Sequence, residues 1–447
     1  MSESKAEKLS VLQDVRSHAR NVVWNLIGIG VPAIVAIVAI PLLIEGLGTA
    51  RFGVLTLAWM VVGYFGLFDL GLGRALTKVV AERIGAGRDI EIPVVVWTAM
   101  SLMFALGFVG ATIIASLSPW LVESALKIPE QLQGETLSAF WLLAISIPIV
   151  VSSTGLRGVL EAHQRFGIVN AIRLPLGMAS FLGPLAMLPF SNSIDSIVLV
   201  LVIARLLSWL AHLFACLWVV PELRTGARFD RTLTGPLLSF GGWMTVSNIV
   251  GPLLLYLGRI LIAVLISVEA VAYFVTPYEV IIKLLIIPGV LVSVLFPAFT
   301  QLFQVERSEV QHLYRKALLT IFAVMLPLAS VIFLFAEDGL AWWVNNEFSS
   351  NGYIVAQFLA VGVFINSFGH LSQALIQSYG RPDITAKLHL VELVLYVPYL
   401  WWLTQRYGIN GAALAWTVRV AISTGALFYL AQRCVQGSIS ANQTVSS

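Results

Sequence analysis

The sequence predicts an all-α polytopic membrane protein, and three features lead to this prediction: its composition, its long apolar segments and its distribution of Lys and Arg. Of the 447 residues, 58% are hydrophobic and 11% are charged, and the mean hydropathy is +0.88. Soluble domains carry about 25% charged residues. The composition therefore excludes an ordinary soluble protein.

Twelve apolar segments are long enough to cross a membrane as helices. A helix needs roughly 20 apolar residues to span the hydrocarbon core. Helices and closed barrels are the structures that satisfy the backbone in lipid, and these segments are too long for barrel strands. The predicted spans are 22–44, 52–72, 92–117, 138–160, 167–189, 195–220, 237–265, 269–299, 316–336, 354–378, 386–404 and 411–431.

Lys and Arg indicate the orientation of the chain. With a cytoplasmic N-terminus, twenty of the 27 basic residues fall on the cytoplasmic side, while Arg51, Lys127, Arg259 and Arg406 fall outside. Cytoplasmic loops carry an excess of basic residues, so this bias predicts that both termini are cytoplasmic. Because residues 1–20 are polar, we expect the first span to act as its own insertion signal.

An internal repeat divides the chain into two halves of six helices each. The segment VLEAHQRFGIVNAIRL at 159–174 resembles LIQSYGRPDITAKLHL at 375–390, at an offset of 216 residues. Since both halves start on the cytoplasmic side, the predicted pseudo-two-fold axis lies along the membrane normal, with a substrate path between the halves. The predicted domains are a cytoplasmic segment 1–21, an N-lobe 22–220, a linker 221–236, a C-lobe 237–433 and a tail 434–447.

Two arginines lie where charge is costly. VIARLLS at 202–208 resembles TVRVAIS at 417–423, which places Arg205 opposite Arg419 with two residues of slack in an outer loop. Arg205 lies about 15 Å and Arg419 about 12 Å along their helices. Intramembrane charges mark functional sites by default, and paired guanidiniums suit phosphate. The alternative is that each arginine pairs with a carboxylate, for example Arg419 with Glu392, and only holds helices together.

Other charged residues fall inside or at the ends of spans. Glu279 and Lys283 are four residues apart on one helix face, which predicts an ion pair and leaves a cavity role open. Arg259 comes late in its helix and could extend to the outer interface. Asp69 either pairs with Arg74, about one turn away, or binds a coupling cation.

Catalytic and metal-binding signals are absent from the sequence. Cys216 and Cys434 form no redox or metal-ligand spacing,. No histidine has a metal-ligand spacing, and no phosphate loop or nucleophile elbow occurs. The sequence therefore argues against an enzyme, a resident cofactor and a nucleic-acid partner.

Three segments resemble the Wzx-type polysaccharide flippases, the O-antigen and repeat-unit transporters of the multidrug/oligosaccharidyl-lipid/polysaccharide exporter superfamily. They are RFGVLTLAWMVVGYFGLFDLGLGRALTKVVAE in the second span, NVVWNLIGIGVPAIVAIVAIPLLI in the first and GRILIAVLISVEAVAYFVTPYEVI in the seventh and eighth. The resemblance covers most of the chain. Family members often carry Asp-Arg late in helix seven, whereas Gly258-Arg259 here lacks the aspartate.

This resemblance implies a V-shaped, two-lobe transporter of the bacterial inner membrane that works by alternating access. Its cargo would be a polyprenyl-pyrophosphate-linked oligosaccharide. Membrane lipids would surround it, and a polymerase and glycosyltransferases of the same pathway would be partners. The implied substrate-binding residues are Arg205 and Arg419, with Lys283 and Arg259 as weaker candidates. A Na⁺ or H⁺ gradient would act through Asp69, Glu279 or Glu392.

Two alternative functions remain open at this point. A multidrug or cation antiporter of the same superfamily would need unpaired carboxylates and aromatic walls. A non-transporting scaffold for glycan-assembly enzymes would tolerate mutation of its intramembrane charges.

Overall fold

The computed structural model describes residues 30–65, 69, 71–226, 228–235, 253–254, 256–305 and 307–436. Helices dominate these residues, and no β-strand occurs among them. The predicted N-terminal segment, most of the predicted tail and the first part of the seventh span lie outside the described residues. The predicted all-α fold is confirmed.

The described residues divide into two compact units. The first unit contains helices from the N-terminal half of the chain, together with short 3₁₀ turns near residues 89–91, 221–225 and 231–233 and one π turn at 121–125. Its helices are α1 (Gly30–Leu47), the part of α2 (Thr49–Phe65) from Ala58 onward, α3 (Leu72–Gly85), α4 (Ile92–Trp120), α5 (Glu130–Ala162), α6 (Phe166–Met187) and α7 (Ile194–Val219).

The second unit contains the C-terminal helices and two short segments of the N-terminal half, Thr49–Leu57 and Ala125–Pro129. The lobe boundaries stay a prediction, although these two segments were predicted for the N-lobe. The helices of this unit are α8 (Tyr256–Leu265), α9 (Val268–Ile281), α10 (Ile286–Val305), α11 (Arg307–Leu334), α12 (Ala336–Trp343), α13 (Asn346–Ser378) and α14 (Pro382–Val435).

Within the described residues, nine helices are long and apolar enough to cross a membrane. The shorter apolar helices α2 and α8 accompany them, and α14 contains two of the predicted spans. Gly408, with φ 60° and ψ −141°, interrupts α14 between those spans. The predicted loop at 405–410 is thus a tight corner that glycine permits. The count of twelve spans stays a prediction.

Helix starts follow local capping chemistry. Ser267 accepts a hydrogen bond from the Ala270 N–H at the start of α9. Asn345 accepts one from the Phe348 N–H at 2.9 Å at the start of α13. These side chains satisfy amide groups that have no partner within the first helical turn.

The predicted second span, 52–72, contains α2 and ends where α3 begins. The described part of α2 extends to Phe65, and Gly71 adopts a left-handed backbone (φ 71°) directly before α3. The two carboxylate oxygens of Asp69 accept hydrogen bonds from the N–H groups of Gly71 and Gly73 at 3.0 and 2.9 Å. Asp69 therefore caps α3 and stabilises the turn that precedes this helix.

Glycine also sets the distance between α3 and α5. A Cβ on Gly73 of α3 would lie 3.1 Å from the Thr154 hydroxyl of α5, and one on Gly158 of α5 would lie 2.4 Å from the Thr77 hydroxyl of α3. The two backbones can approach this closely only because neither position carries a side chain. The glycines of LFDLGLGRALTK are thus packing residues as well as turn residues.

The two copies of the sequence repeat form the same turn. Gln164, between α5 and α6, has φ 59°, and Gly380, 216 residues later between α13 and α14, has φ 84°. The hydrogen bond from Arg165 N to Leu160 O recurs from Arg381 N to Ile376 O, at 2.9 and 3.2 Å. The repeat inferred from sequence is therefore a repeat of backbone geometry at this turn.

Contacts at the C-terminal end of α8 and at the N-terminal ends of α9 and α13 explain why two N-terminal segments belong to the second unit. The Lys127 N–H donates to the Ala263 carbonyl at 3.0 Å, and its ammonium donates to the Leu265 carbonyl at 2.6 Å. Thr49 donates to a carboxylate oxygen of Glu347 at 3.3 Å. Gly53 lies against the backbone of Val268, where a Cβ would come within 1.9 Å of the carbonyl oxygen.

Candidate functional site

Arg205 carries a charge in the apolar interior of α7. It lies eleven residues after Ile194, or about 16 Å along the helix. Its side chain is partly buried, its Nε is buried without a hydrogen-bond partner, and it forms no ion pair with any described residue. A buried guanidinium without a counter-charge is unfavourable. For Arg205, the carboxylate alternative is therefore absent from the part of the chain that the structure describes.

Arg419, in the second part of α14, has a carboxylate neighbour. Its Nη1 lies 3.4 Å from Oε2 of Glu392, and its guanidinium lies over the Tyr396 ring at 5.3 Å. His389 contacts the same carboxylate oxygen at 3.2 Å. The structural alternative named for Arg419 is thus present, while its role in substrate binding stays a prediction.

The Arg419 contact is incomplete. Its Nε and Oε1 of Glu392 are buried, and neither atom has a hydrogen-bond partner among the described residues. A well-formed arginine–carboxylate pair uses two parallel hydrogen bonds. This pair uses one long contact and leaves donor capacity on the guanidinium.

Arg259 does not extend to the outer interface, so that interpretation was wrong. Its side chain is 3% exposed, and its Nη2 donates to Oε1 of Glu279 at 2.8 Å. The guanidinium also lies over the rings of Tyr256 and Tyr278, at 5.4 and 5.0 Å. Two aromatic faces and a carboxylate compensate for its burial, which the position of Arg259 in its helix did not indicate.

Glu279 joins two cations. The predicted pair with Lys283 is observed, with 3.5 Å between Nζ and Oε2, while Arg259 holds the other oxygen. Both carboxylate oxygens of Glu279 are therefore engaged. Lys283, with a side chain that is 39% exposed, is the accessible member of this group.

Asp69 does not pair with Arg74, so that prediction was wrong. Besides capping α3, its carboxylate accepts a hydrogen bond from the Thr154 hydroxyl at 3.0 Å, and Arg74 is exposed. Thr154 lies on α5, 85 residues away. Three donors satisfy Asp69, which gives it a structural function in this fold.

Sequence reasoning missed the aromatic residues that surround these charges. Tyr278 packs edge-on against Trp416, with ring centroids 6.1 Å apart. The Tyr278 hydroxyl and the Trp416 Nε1 are buried without partners. One signal was available for Tyr396, which lies four residues after Glu392 and hence on the same helix face.

The chemistry of these residues suits anions rather than metals. Among the described residues, no group of three or more His, Cys, Asp or Glu side chains could hold a metal ion. Arg205 and Arg419, like Arg259, each have a buried Nε that makes no hydrogen bond to a described residue, but Arg259 already has a short ion pair through Nη2. Guanidinium groups with free donors bind phosphate and carboxylate through bidentate hydrogen bonds.

Comparisons of the sequence with known proteins give consistent results. A sequence family described as "Polysaccharide biosynthesis protein" matches residues 47–341. A putative O-antigen transporter of Shigella flexneri is 32% identical over 419 residues, which cover 93% of this chain and 98% of that protein. The lipopolysaccharide biosynthesis protein WzxC of Escherichia coli K12 is 23% identical over 216 residues, 48% of this chain and 44% of that protein.

Comparisons of the structure extend the match to nearly the whole chain. An inward-facing multidrug resistance MATE family transporter of the MOP superfamily aligns with a TM-score of 0.79 at 15% identity, covering 94% of this chain and 99% of the other. A MOP superfamily transporter from Pyrococcus furiosus aligns with a TM-score of 0.65 at 15% identity, covering 94% and 95%. At these identities the alignments establish the shared fold.

Proposed function

Because the chain belongs to the polysaccharide biosynthesis protein family, we propose that it is a flippase for polyprenyl-pyrophosphate-linked oligosaccharides. It would move this cargo across the bacterial cytoplasmic membrane by alternating access, with both termini in the cytoplasm. The relatives' descriptions as an O-antigen transporter and a lipopolysaccharide biosynthesis protein support the cargo class. We propose transport without catalysis.

The observation that carries this proposal is the uncompensated guanidinium of Arg205. A charged side chain at the centre of a membrane costs at least about 2.5–3.5 kcal/mol. Arg205 has no acidic partner among the described residues, so this charge would be unfavourable if the residue served folding alone. An anionic cargo would give this charge a function, because pyrophosphate supplies the acceptor oxygen atoms that the Arg205 guanidinium lacks among its described neighbours.

Arg419 is the corresponding candidate in the second half. Its single long contact with Glu392 leaves donors available for an anion. In our proposal, Arg205 of the first unit and Arg419 of the second are each a candidate to bind an anionic group of the cargo, the pyrophosphate or an acidic sugar. Lys283 is a weaker candidate, and Arg259 supports its neighbours because its ion pair with Glu279 and two rings already engage it.

A cation antiporter is less well supported. That function would need unpaired carboxylates, yet Glu279 is paired with two cations and Asp69 is hydrogen-bonded to three donors. Glu392 keeps one free oxygen but contacts Arg419 and His389 through the other. The charges of the described interior favour an anionic cargo.

We propose that Glu392 couples transport of the cargo to an ion gradient. Of the three candidate carboxylates, it alone keeps a buried oxygen without a hydrogen-bond partner among the described residues, so it can take up a proton or a cation beside Arg419. Protonation would release Arg419 to bind cargo. In proteoliposomes, Glu392→Gln should remove the dependence of transport on an imposed ion gradient. Transport that still follows the gradient would reject this assignment.

Surface glycan display in cells that lack the native gene tests the function. We expect Arg205→Ala and Arg419→Ala to abolish display while the variants remain inserted at normal levels. Arg74→Ala, which removes an exposed arginine, serves as the control and should support full display. Normal display from both variants and from the double variant would favour a scaffold for polymerase and glycosyltransferases over a transporter.

A further inference from the structure

A groove of about 310 Å³ lies between α11 and α14, and neither Arg205 nor Arg419 lines it. Gln311 and Arg315 line one wall from α11, and Gln432 and Gln436 line the other from α14. The positions on each helix are three or four residues apart, so each wall is one helix face. Both helices belong to the second unit.

Polarity changes along the groove. The glutamines and Arg315 lie near the start of α11 and the end of α14, where the excess of Lys and Arg predicts the cytoplasm. Leu318 and Phe428 line the groove further inside. Leu318 follows Gln311 by seven residues, or about 10 Å. The groove thus changes from a polar entrance to an apolar interior over about the distance that separates the headgroup of a lipid from its acyl chains.

Fixed contacts build the floor of the groove. Tyr314 is buried, and its hydroxyl is hydrogen-bonded to the Ser372 hydroxyl at 2.7 Å. Its ring packs beside that of Phe428, with centroids 6.3 Å apart. The floor is thus held by a third helix, α13, and does not depend on the exposed side chains at the mouth.

The charge at the mouth is positive. Arg315 is exposed and forms no ion pair with any described residue, and none of the residues that line the groove is acidic. Lys316 lies next to it in sequence. Arg433 follows Gln432, with its guanidinium over the Tyr429 ring at 4.8 Å. Basic pockets between membrane helices on the cytoplasmic side bind anionic headgroups.

We propose that this groove is a binding site for an anionic glycerophospholipid of the cytoplasmic leaflet. Arg315 binds the phosphate, the amide groups of Gln311 and Gln432 donate to ester or headgroup oxygens, and one acyl chain lies along Leu318 and Phe428. The polar groups lie at headgroup depth rather than mid-membrane. The occupant is therefore a resident lipid of that leaflet and not the transported cargo.

Thermal unfolding of the full-length protein in dodecyl maltoside tests this site without any transport assay. We expect dioleoyl-phosphatidylglycerol to raise the unfolding midpoint and dioleoyl-phosphatidylethanolamine to have a smaller effect. Arg315→Gln should weaken the apparent affinity for phosphatidylglycerol about fivefold, the effect of one basic residue at a membrane surface. Arg74→Gln, which removes an exposed arginine elsewhere, is the matched control and should leave the affinity unchanged.

Two results would overturn the proposal. Equal phosphatidylglycerol affinity in the wild type and in Arg315→Gln would show that the lipid binds elsewhere. Protection by undecaprenyl phosphate, lost in Arg315→Gln and without a matching effect of phosphatidylglycerol, would assign the groove to the cargo's carrier lipid. Neither result depends on whether the protein exports glycan, so failure here is distinct from failure of the proposed function.

Discussion

The two halves of the chain share a backbone turn and differ in whether an arginine inside a helix has an acidic partner. The α5–α6 and α13–α14 turns repeat the same left-handed residue and the same hydrogen bonds, 216 residues apart. Arg205 in the first half has no acidic partner among the described residues, whereas Arg419 in the second contacts Glu392. A fold that was duplicated for stability alone would not keep an uncompensated charge in one copy.

The comparison also separates arginines whose charge is compensated within the protein from arginines that keep donors for an anion. Arg259 is buried, paired and covered by two rings, so its charge is compensated within the protein. Arg205 has no acidic partner among the described residues, and the charge of Arg419 is partly compensated by its single contact with Glu392. Removing each arginine should therefore affect stability in a graded way.

The largest effect on stability is expected at Arg259. Arg259→Ala leaves the buried Glu279 carboxylate with Lys283 alone, and breaking a buried pair from one side costs about 3–5 kcal/mol. The unfolding midpoint in detergent should fall steeply, and Arg259→Met combined with Glu279→Met should recover much of the loss. Lys387→Ala is the control, because it breaks an exposed pair in which the lysine side chain is 76% exposed. Equal losses of stability in Arg259→Ala and Lys387→Ala would contradict the buried pairing of Arg259 with Glu279.

A smaller effect is expected at Arg419. Its one charged hydrogen bond to Glu392 is worth about 1.5–3 kcal/mol at most, and the 3.4 Å distance places it at the low end. A double-mutant cycle of Arg419→Ala and Glu392→Gln, read from unfolding, should give a coupling energy below that of the Arg259 and Glu279 cycle. A coupling energy equal to or above it would mean that Arg419 is a structural cation.

The smallest effect concerns the repeated turn. Gln164 occupies a left-handed conformation that costs an L-residue roughly 1–2 kcal/mol, and Gly380 occupies its counterpart without that cost. Gln164→Gly should raise the free energy of unfolding slightly, while Gly380→Ala should lower it by about 1 kcal/mol. Equal shifts of the same sign would show that the two turns are not equivalent.

The sequence predicted the helices whose ends are marked locally. Helices α4, α6 and α7 begin within a few residues of their predicted starts, because polar residues or turns bound their apolar segments. The two predicted spans within α14, 386–404 and 411–431, lie on either side of the kink at Gly408. The sequence did not indicate the backbone conformation of that glycine.

The candidate residues were chosen by position, and two of their contacts, Arg419 with Glu392 and Glu279 with Lys283, were also named from the sequence. Depth along a helix identified Arg205 and Arg419, because an intramembrane charge is visible in sequence. The function of Asp69 was missed because its third hydrogen bond comes from Thr154, on a different helix. The burial of Arg259 was missed because Glu279 and two tyrosines, from α8 and α9, surround it only after folding.

The central claim is tested most directly by Arg205→Leu, measured for both thermal unfolding and glycan display. If Arg205 is kept for cargo, leucine removes a charge that has no acidic partner among the described residues. The variant should then be at least as stable as the wild type and should display no surface glycan. A variant that loses stability and still displays glycan normally would show that Arg205 is a structural residue.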